Sequence, residues 1–163
     1  MKKYLVLIIL FFTSSVCTGE VLRSDQSTIA HIGGTWIDVK SHYAAIGNGT
    51  ADDTVAIQNA INAEKFVFIP EGTYILSSGL TVPEHHRIQC ANNRGTTLKY
   101  TATSGYSFTL GSTSASALSY GTGISDCGIL LIQNGGNGIR LAGTAGAYLE
   151  NLYMEGVPTT NTS

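Results

Sequence analysis

Apolar residues run unbroken from Tyr4 to Phe12, behind Lys2 and Lys3 and ahead of Thr13-Ser14-Ser15-Val16-Cys17-Thr18-Gly19. A basic start, a short apolar core and small residues at its end predict a secretory signal peptide over residues 1–17. The run falls well short of the roughly 20 apolar residues that span a bilayer. Cys17 also stands where a lipidated cysteine would, but Ser14-Ser15-Val16 lacks the leucine and the small residue such a signal carries. Residues 18–35 keep no period and predict an extended lead-in.

Helical period occurs once in the mature chain. Trp36-Ile37-Asp38-Val39 predicts a short strand, and the glycine-rich segment GNGTADDT (Gly47 to Thr54) follows. After it, Ala56, Ile57, Ala60 and Ile61 make an apolar stripe. A helix is expected from Asp53 to Ala63, with Asp52 or Asp53 at the N-cap, accepting hydrogen bonds from free N–H groups of the first turn. Their charge suits the positive end of the helix dipole. So short a helix is marginal alone and must pack its stripe on something.

From Phe66 the pattern turns to short strands. Phe66-Val67-Phe68-Ile69, Thr73-Tyr74-Ile75-Leu76, Leu80-Thr81-Val82, Arg87-Ile88-Gln89-Cys90, Thr97-Leu98-Lys99-Tyr100 and Tyr106-Ser107-Phe108-Thr109-Leu110 are bounded by turn formers. Such lengths are short for a sandwich. They suit a solenoid, where each coil adds short strands to stacked parallel sheets. Ile124-Ser125-Asp126-Cys127-Gly128-Ile129 aligns with Leu149-Glu150-Asn151-Leu152-Tyr153-Met154 at an offset of 25. The offset puts apolar on apolar at Ile124/Leu149, Cys127/Leu152 and Ile129/Met154, and predicts Asp126 stacked on Asn151 at a turn. Between the copies, Ile139 and Leu141 share one face of a further strand.

Charged residues make up only 12% of the chain and hydrophobic ones 43%, while Gly, Ser, Thr and Asn supply over a third. An average domain is about 25% charged. With 9 Lys+Arg against 11 Asp+Glu there is no basic face, which excludes a nucleic-acid partner. Removing Lys2 and Lys3 makes the balance more acidic still, with no attraction to anionic membrane. Cys90 and Cys127 could pair in an oxidising compartment. The preferred reading is two separate, ordinary buried residues.

Asp38-Val39, GNGTADDTVAIQNAINA (Gly47 to Ala63) and FVFIPEGTYIL (Phe66 to Leu76) together resemble the N-terminal module of the pectate-lyase-like superfamily, in particular the rhamnogalacturonase/epimerase type. That family carries a G-D-G-x-x-D-D-T-x-A-I-Q-x-A-I segment and a P-x-G-T-Y strand. Asn48 replaces the usual first aspartate, and Ser41-His42-Tyr43-Ala44-Ala45 departs from the usual F-G-A. The resemblance implies an all-β solenoid, a right-handed parallel β-helix with a short N-terminal capping α-helix. It places Gly47, Gly49, Asp52, Asp53 and Thr54 in the structural cap motif, not in a site. A cap is physically required, since a terminal coil exposes apolar surface and unpaired edges.

The candidate chemistry is sparse. Glu84-His85-His86 reads as a solvated turn, and Gly135-Gly136-Asn137-Gly138 lacks the residues of a phosphate loop. Polygalacturonase-like relatives use N-T-D, D-D and G-H-G segments, and pectate lyases a calcium-binding aspartate cluster. None is recognisable here. No cofactor is implied, and calcium only if the protein is lyase-like. Asp126 with Glu150 or Glu155 could approach on neighbouring coils, as glycoside hydrolysis needs of two carboxyls, and Arg140 is the basic residue of that stretch. Residues 36–163 are therefore expected to be the cap and first coils of a longer, truncated β-helix. It would be exported to the exterior, periplasm or cell surface and act on or bind polysaccharide. The alternative is a non-catalytic adhesin or tailspike-like protein.

Overall fold

The structure, a computed structural model, describes residues 30–31, 34–112 and 118–156. The expected signal peptide, most of the lead-in and residues 157–163 lie outside these. Strands β1 (Ala30–His31) and β2 (Gly34–Thr35) pair antiparallel. Next comes β3 (Ile37–Asp38), and here the sequence reading needs correction. The expected strand gives way at Val39 to a second helix, α1 (Val39–Tyr43). The Asp38 carboxylate accepts from the backbone N–H of Lys40 at 2.6 Å and Ser41 at 3.3 Å, satisfying first-turn donors. That cap overrides the strand preference of β-branched Val39.

Strand β4 (Asn48–Asp52) leads into α2 (Thr54–Ala63), the helix the period predicts. Ile57, Ala60 and Ile61 are fully buried on one face while Val55 faces solvent. Burying Ile57 and Ile61 contributes about 1.5–3 kcal/mol each, which an isolated ten-residue helix lacks.

Successive coils then cross three parallel sheets in turn. The first coil carries β5 (Phe66–Ile69), β6 (Gly72–Leu76) and β7 (Leu80–Val82). The second carries β8 (Arg87–Cys90), β9 (Thr96–Tyr100) and β10 (Tyr106–Gly111). The third carries β11 (Gly123–Ser125), β12 (Gly128–Leu131) and β13 (Asn137–Ala142). The last described strands are β14 (Tyr148–Glu150) and β15 (Tyr153–Gly156). Sheet orders are β14-β11-β8-β5-β3, β15-β12-β9-β6-β4 and β13-β10-β7, all parallel. This is a parallel β-helix.

Side chains alternate inward and outward along each strand. One inward column is Val67, Ile88, Ile124 and Leu149; another is Tyr74, Leu98, Ile129 and Met154. The offset of 25 is realised as direct pairing of Ile124 with Leu149 and Ile129 with Met154. On the last described coil the columns surface: Leu149 is 46% and Met154 45% exposed, against 1% for Ile124 and Ile129.

Cys90 and Cys127 are not separate residues, as expected from sequence, but a disulfide with Cα atoms 5.0 Å apart. Stacked coils bring the same turn of two successive coils within the 4.4–6.8 Å range a disulfide needs. Asp126 and Asn151, both in left-handed backbone conformation, meet as expected, the Asn151 Nδ2 donating to Asp126 Oδ1 at 2.7 Å.

Candidate functional site

The outer face of the first sheet carries two register columns. One reads Phe66, Arg87, Gly123, Tyr148; the next reads Phe68, Gln89, Ser125, Glu150. In the first column Gly123 leaves a gap. A Cβ there would meet the Tyr148 Cβ and carbonyl oxygen at 2.9 Å. Across that gap the Arg87 guanidinium lies over the Tyr148 ring, 4.4 Å from its centroid. At the foot of the column Trp36 packs edge-on against Phe66, with centroids 5.4 Å apart and planes at 67°.

These side chains border a cleft of about 300 Å³ lined by Trp36, Arg87, Gln89, Ser125, Asp126, Tyr148 and Glu150. Asp126 and Glu150, from neighbouring coils, reach the same cleft, and Asn151 orients the Asp126 carboxylate by the bond above. Glu155 belongs instead to the second sheet, where it accepts from the Tyr153 hydroxyl at 3.0 Å. Arg140 belongs to the third sheet and lies over Tyr106 at 5.6 Å. Neither is in the cleft. Carboxylates, an amide and a hydroxyl around exposed aromatic surface suit a polyhydroxylated ligand with one less polar face.

The five cap-motif residues lie at the N-terminal end of the stack, in β4 and beside it. Gly47 takes φ +65°, and a Cβ would strike the Tyr74 ring at 2.7 Å; Gly49 takes φ +79°. Asp53 is the N-cap by position, yet its carboxylate does not bond the helix. It accepts from Ile46 N at 2.6 Å and Gly47 N at 3.0 Å, clamping the preceding turn. Asp52 is the residue that serves the helix, accepting from the backbone N–H and hydroxyl of Thr54, while its other oxygen accepts from Ser77 Oγ at 2.6 Å. Those bonds, Ser77's first, hold the Asp52 carboxyl below its ordinary pKa. Burial, then the charges of Asp38 and Asp53, pushes the Tyr74 phenol well up. It donates to Pro70 O at 2.9 Å, so the ring that Gly47 accommodates is also pinned at its far end.

His85 and His86 sit in the turn expected, His85 donating its N–H to Tyr120 O at 2.9 Å. Among the described residues no three His, Cys, Asp or Glu side chains gather as a metal site. Sequence reasoning missed Arg87, Gln89, Gly123, Ser125 and Tyr148. The offset of 25 already pairs Gly123 with Tyr148 and Ser125 with Glu150. The spacing from Arg87 to Gly123 follows no such period, because the β8–β9 and β10–β11 connections are both longer than their counterparts on the neighbouring coils.

The family model of rhamnogalacturonase A/epimerase, pectate lyase-like proteins matches residues 36–137, more than half the chain. A non-secreted LysM effector of Penicillium expansum is 48% identical over 56 residues, 32% of this chain and 4% of that protein. Two solved structures share the fold at a TM-score of 0.61. PfbA, a surface adhesin of Streptococcus pneumoniae, is 20% identical and is matched over 74% of this chain and 33% of its own. An iota-carrageenase complexed to iota-carrageenan fragments is 19% identical over 78% of this chain and 30% of its own. The chain thus spans a small part of the curated relative and about a third of either structure. The Trp36–Asn137 segment contains the cap, the first two coils and the start of the third, so the chain belongs to the rhamnogalacturonase A/epimerase, pectate lyase-like family.

Proposed function

We propose that this chain is the glycan-binding N-terminal part of an exported β-helix protein that acts on or binds polysaccharide. The observation that carries the reading is the outer-face cleft, where Tyr148, Arg87, Gln89, Ser125, Asp126 and Glu150 converge. Membership of a pectate lyase-like family and likeness in fold to a carrageenase support it. The Cys90–Cys127 disulfide supports export, since such bonds persist in oxidising compartments. The catalytic coils, in this reading, lie on further chain. The apolar Leu149 and Met154, in register with core residues yet half-exposed, are the surface such coils would cover.

The likeness to a surface adhesin favours a second reading, in which the same cleft holds glycan without chemistry. Incubating the chain with polygalacturonate, with and without calcium, and reading unsaturated product and reducing ends tests whether this chain itself carries catalysis. No turnover is expected. Turnover by this chain alone overturns the assignment of catalysis to further coils, and absence of binding to every glycan overturns the reading itself. A monodisperse monomer with a cooperative melt would count against truncation.

A further inference from the structure

We infer that the cleft selects an uncharged glycan and disfavours a polyanionic one, an inference that rests on the glycan-binding reading above. Its charged lining is one cation, Arg87, against two carboxylates, Asp126 and Glu150. The cation is moreover engaged on the Tyr148 ring at 4.4 Å. A uronate entering here meets two like charges and one partly occupied opposite charge. The chain as a whole is acidic, with formal net charge −2, and adds no compensating field.

For an uncharged sugar the same residues are favourable. Hydroxyls donate to the Asp126 and Glu150 carboxylates in charge-assisted hydrogen bonds, which are stronger than neutral ones. Gln89 and Ser125, stacked in register with Glu150, both donate and accept. Tyr148 is 55% exposed, with Arg87 over its ring, and offers aromatic surface to the C–H face of a pyranose.

Affinity electrophoresis of the intact chain tests this, in gels holding β-glucan, galactan, arabinan or xylan and, in parallel, polygalacturonate, at 0.15 M salt. At least one neutral polysaccharide is expected to retard the protein with an affinity tenfold or more above polygalacturonate. Glu150→Gln, checked for an unchanged far-ultraviolet spectrum, is expected to narrow that ratio several-fold by improving polygalacturonate binding. Stronger retardation by polygalacturonate, or a Glu150→Gln ratio that does not move, overturns the selectivity and leaves glycan binding standing. Retardation by none of the five overturns the glycan-binding reading itself.

Discussion

Arg87 reaches past an entire coil to place its guanidinium 4.4 Å from the ring centroid of Tyr148. The two residues are 61 positions apart, yet share one register column with Gly123 between them. The pair ties the second coil to the last described one. A double-mutant cycle with Arg87→Ala and Tyr148→Leu, read by urea denaturation, is expected to give a coupling of about 0.5–1 kcal/mol, the range for an exposed cation–π pair. Arg87→Lys keeps the charge but loses the planar stacking, and should recover less than half of it.

Gly123→Ala tests the gap. The glycine is not in the left-handed region, so the cost is steric: the new methyl meets Tyr148 Cβ and carbonyl oxygen at 2.9 Å. A loss of about 1–3 kcal/mol is expected, the range for overpacking. Glycan retention should weaken more than with Arg87→Ala, because the strand carrying Tyr148 and Glu150 must move.

Replacing Cys90 and Cys127 together by alanine opens a loop of 37 residues. Chain-entropy reasoning assigns a closure of that size about 2–4 kcal/mol. Thermal melts with and without reductant should show the native chain losing that stability on reduction and the double variant unaffected by it. Equal melts for the native chain in both conditions would mean the cysteines are reduced in solution.

Asp52 predicts a pH dependence. Its bonds from Thr54 and Ser77 favour the charged form, so its folded pKa lies below the ordinary 3.8. A depressed carboxyl stabilises fully above the unfolded value and loses that contribution as pH falls toward the folded one. Asp52→Asn should therefore cost about 1 kcal/mol at pH 7, with the gap to the native chain narrowing as pH falls below the ordinary 3.8. Urea midpoints at pH 7, 4 and 3 measure it.

Fold class was legible because it rests on local signals: short strands between turn formers, one helical stripe, and one repeat in register. Asp126 and Asn151 were legible as a stacked pair because one offset relates them. Helix α1 was not, because Val39 carries a strand preference and one local contact, the Asp38 cap, decides against it. The disulfide was not, because 37 residues of separation bear no relation to the distance between turns of stacked coils. The cleft was half-legible. Its upper half, Ser125 with Glu150, follows from the repeat, while Arg87 joins only across the longer connections before β9 and β11.

The β10–β11 connection and the disulfide stand in a mechanical relation. The connection from β10 to β11 separates the second coil from the third, and Cys90 and Cys127 clip those two coils together. The second and third coils are joined covalently at it; β14 and β15 lie above it and are held only by strand pairing and side chains. Pulled or thermally frayed from its C-terminal side, the stack would peel down to Cys127 and stop. The rim of the cleft that carries Tyr148 and Glu150 is thus its yielding jaw, and the Arg87 and Gln89 side its fixed one.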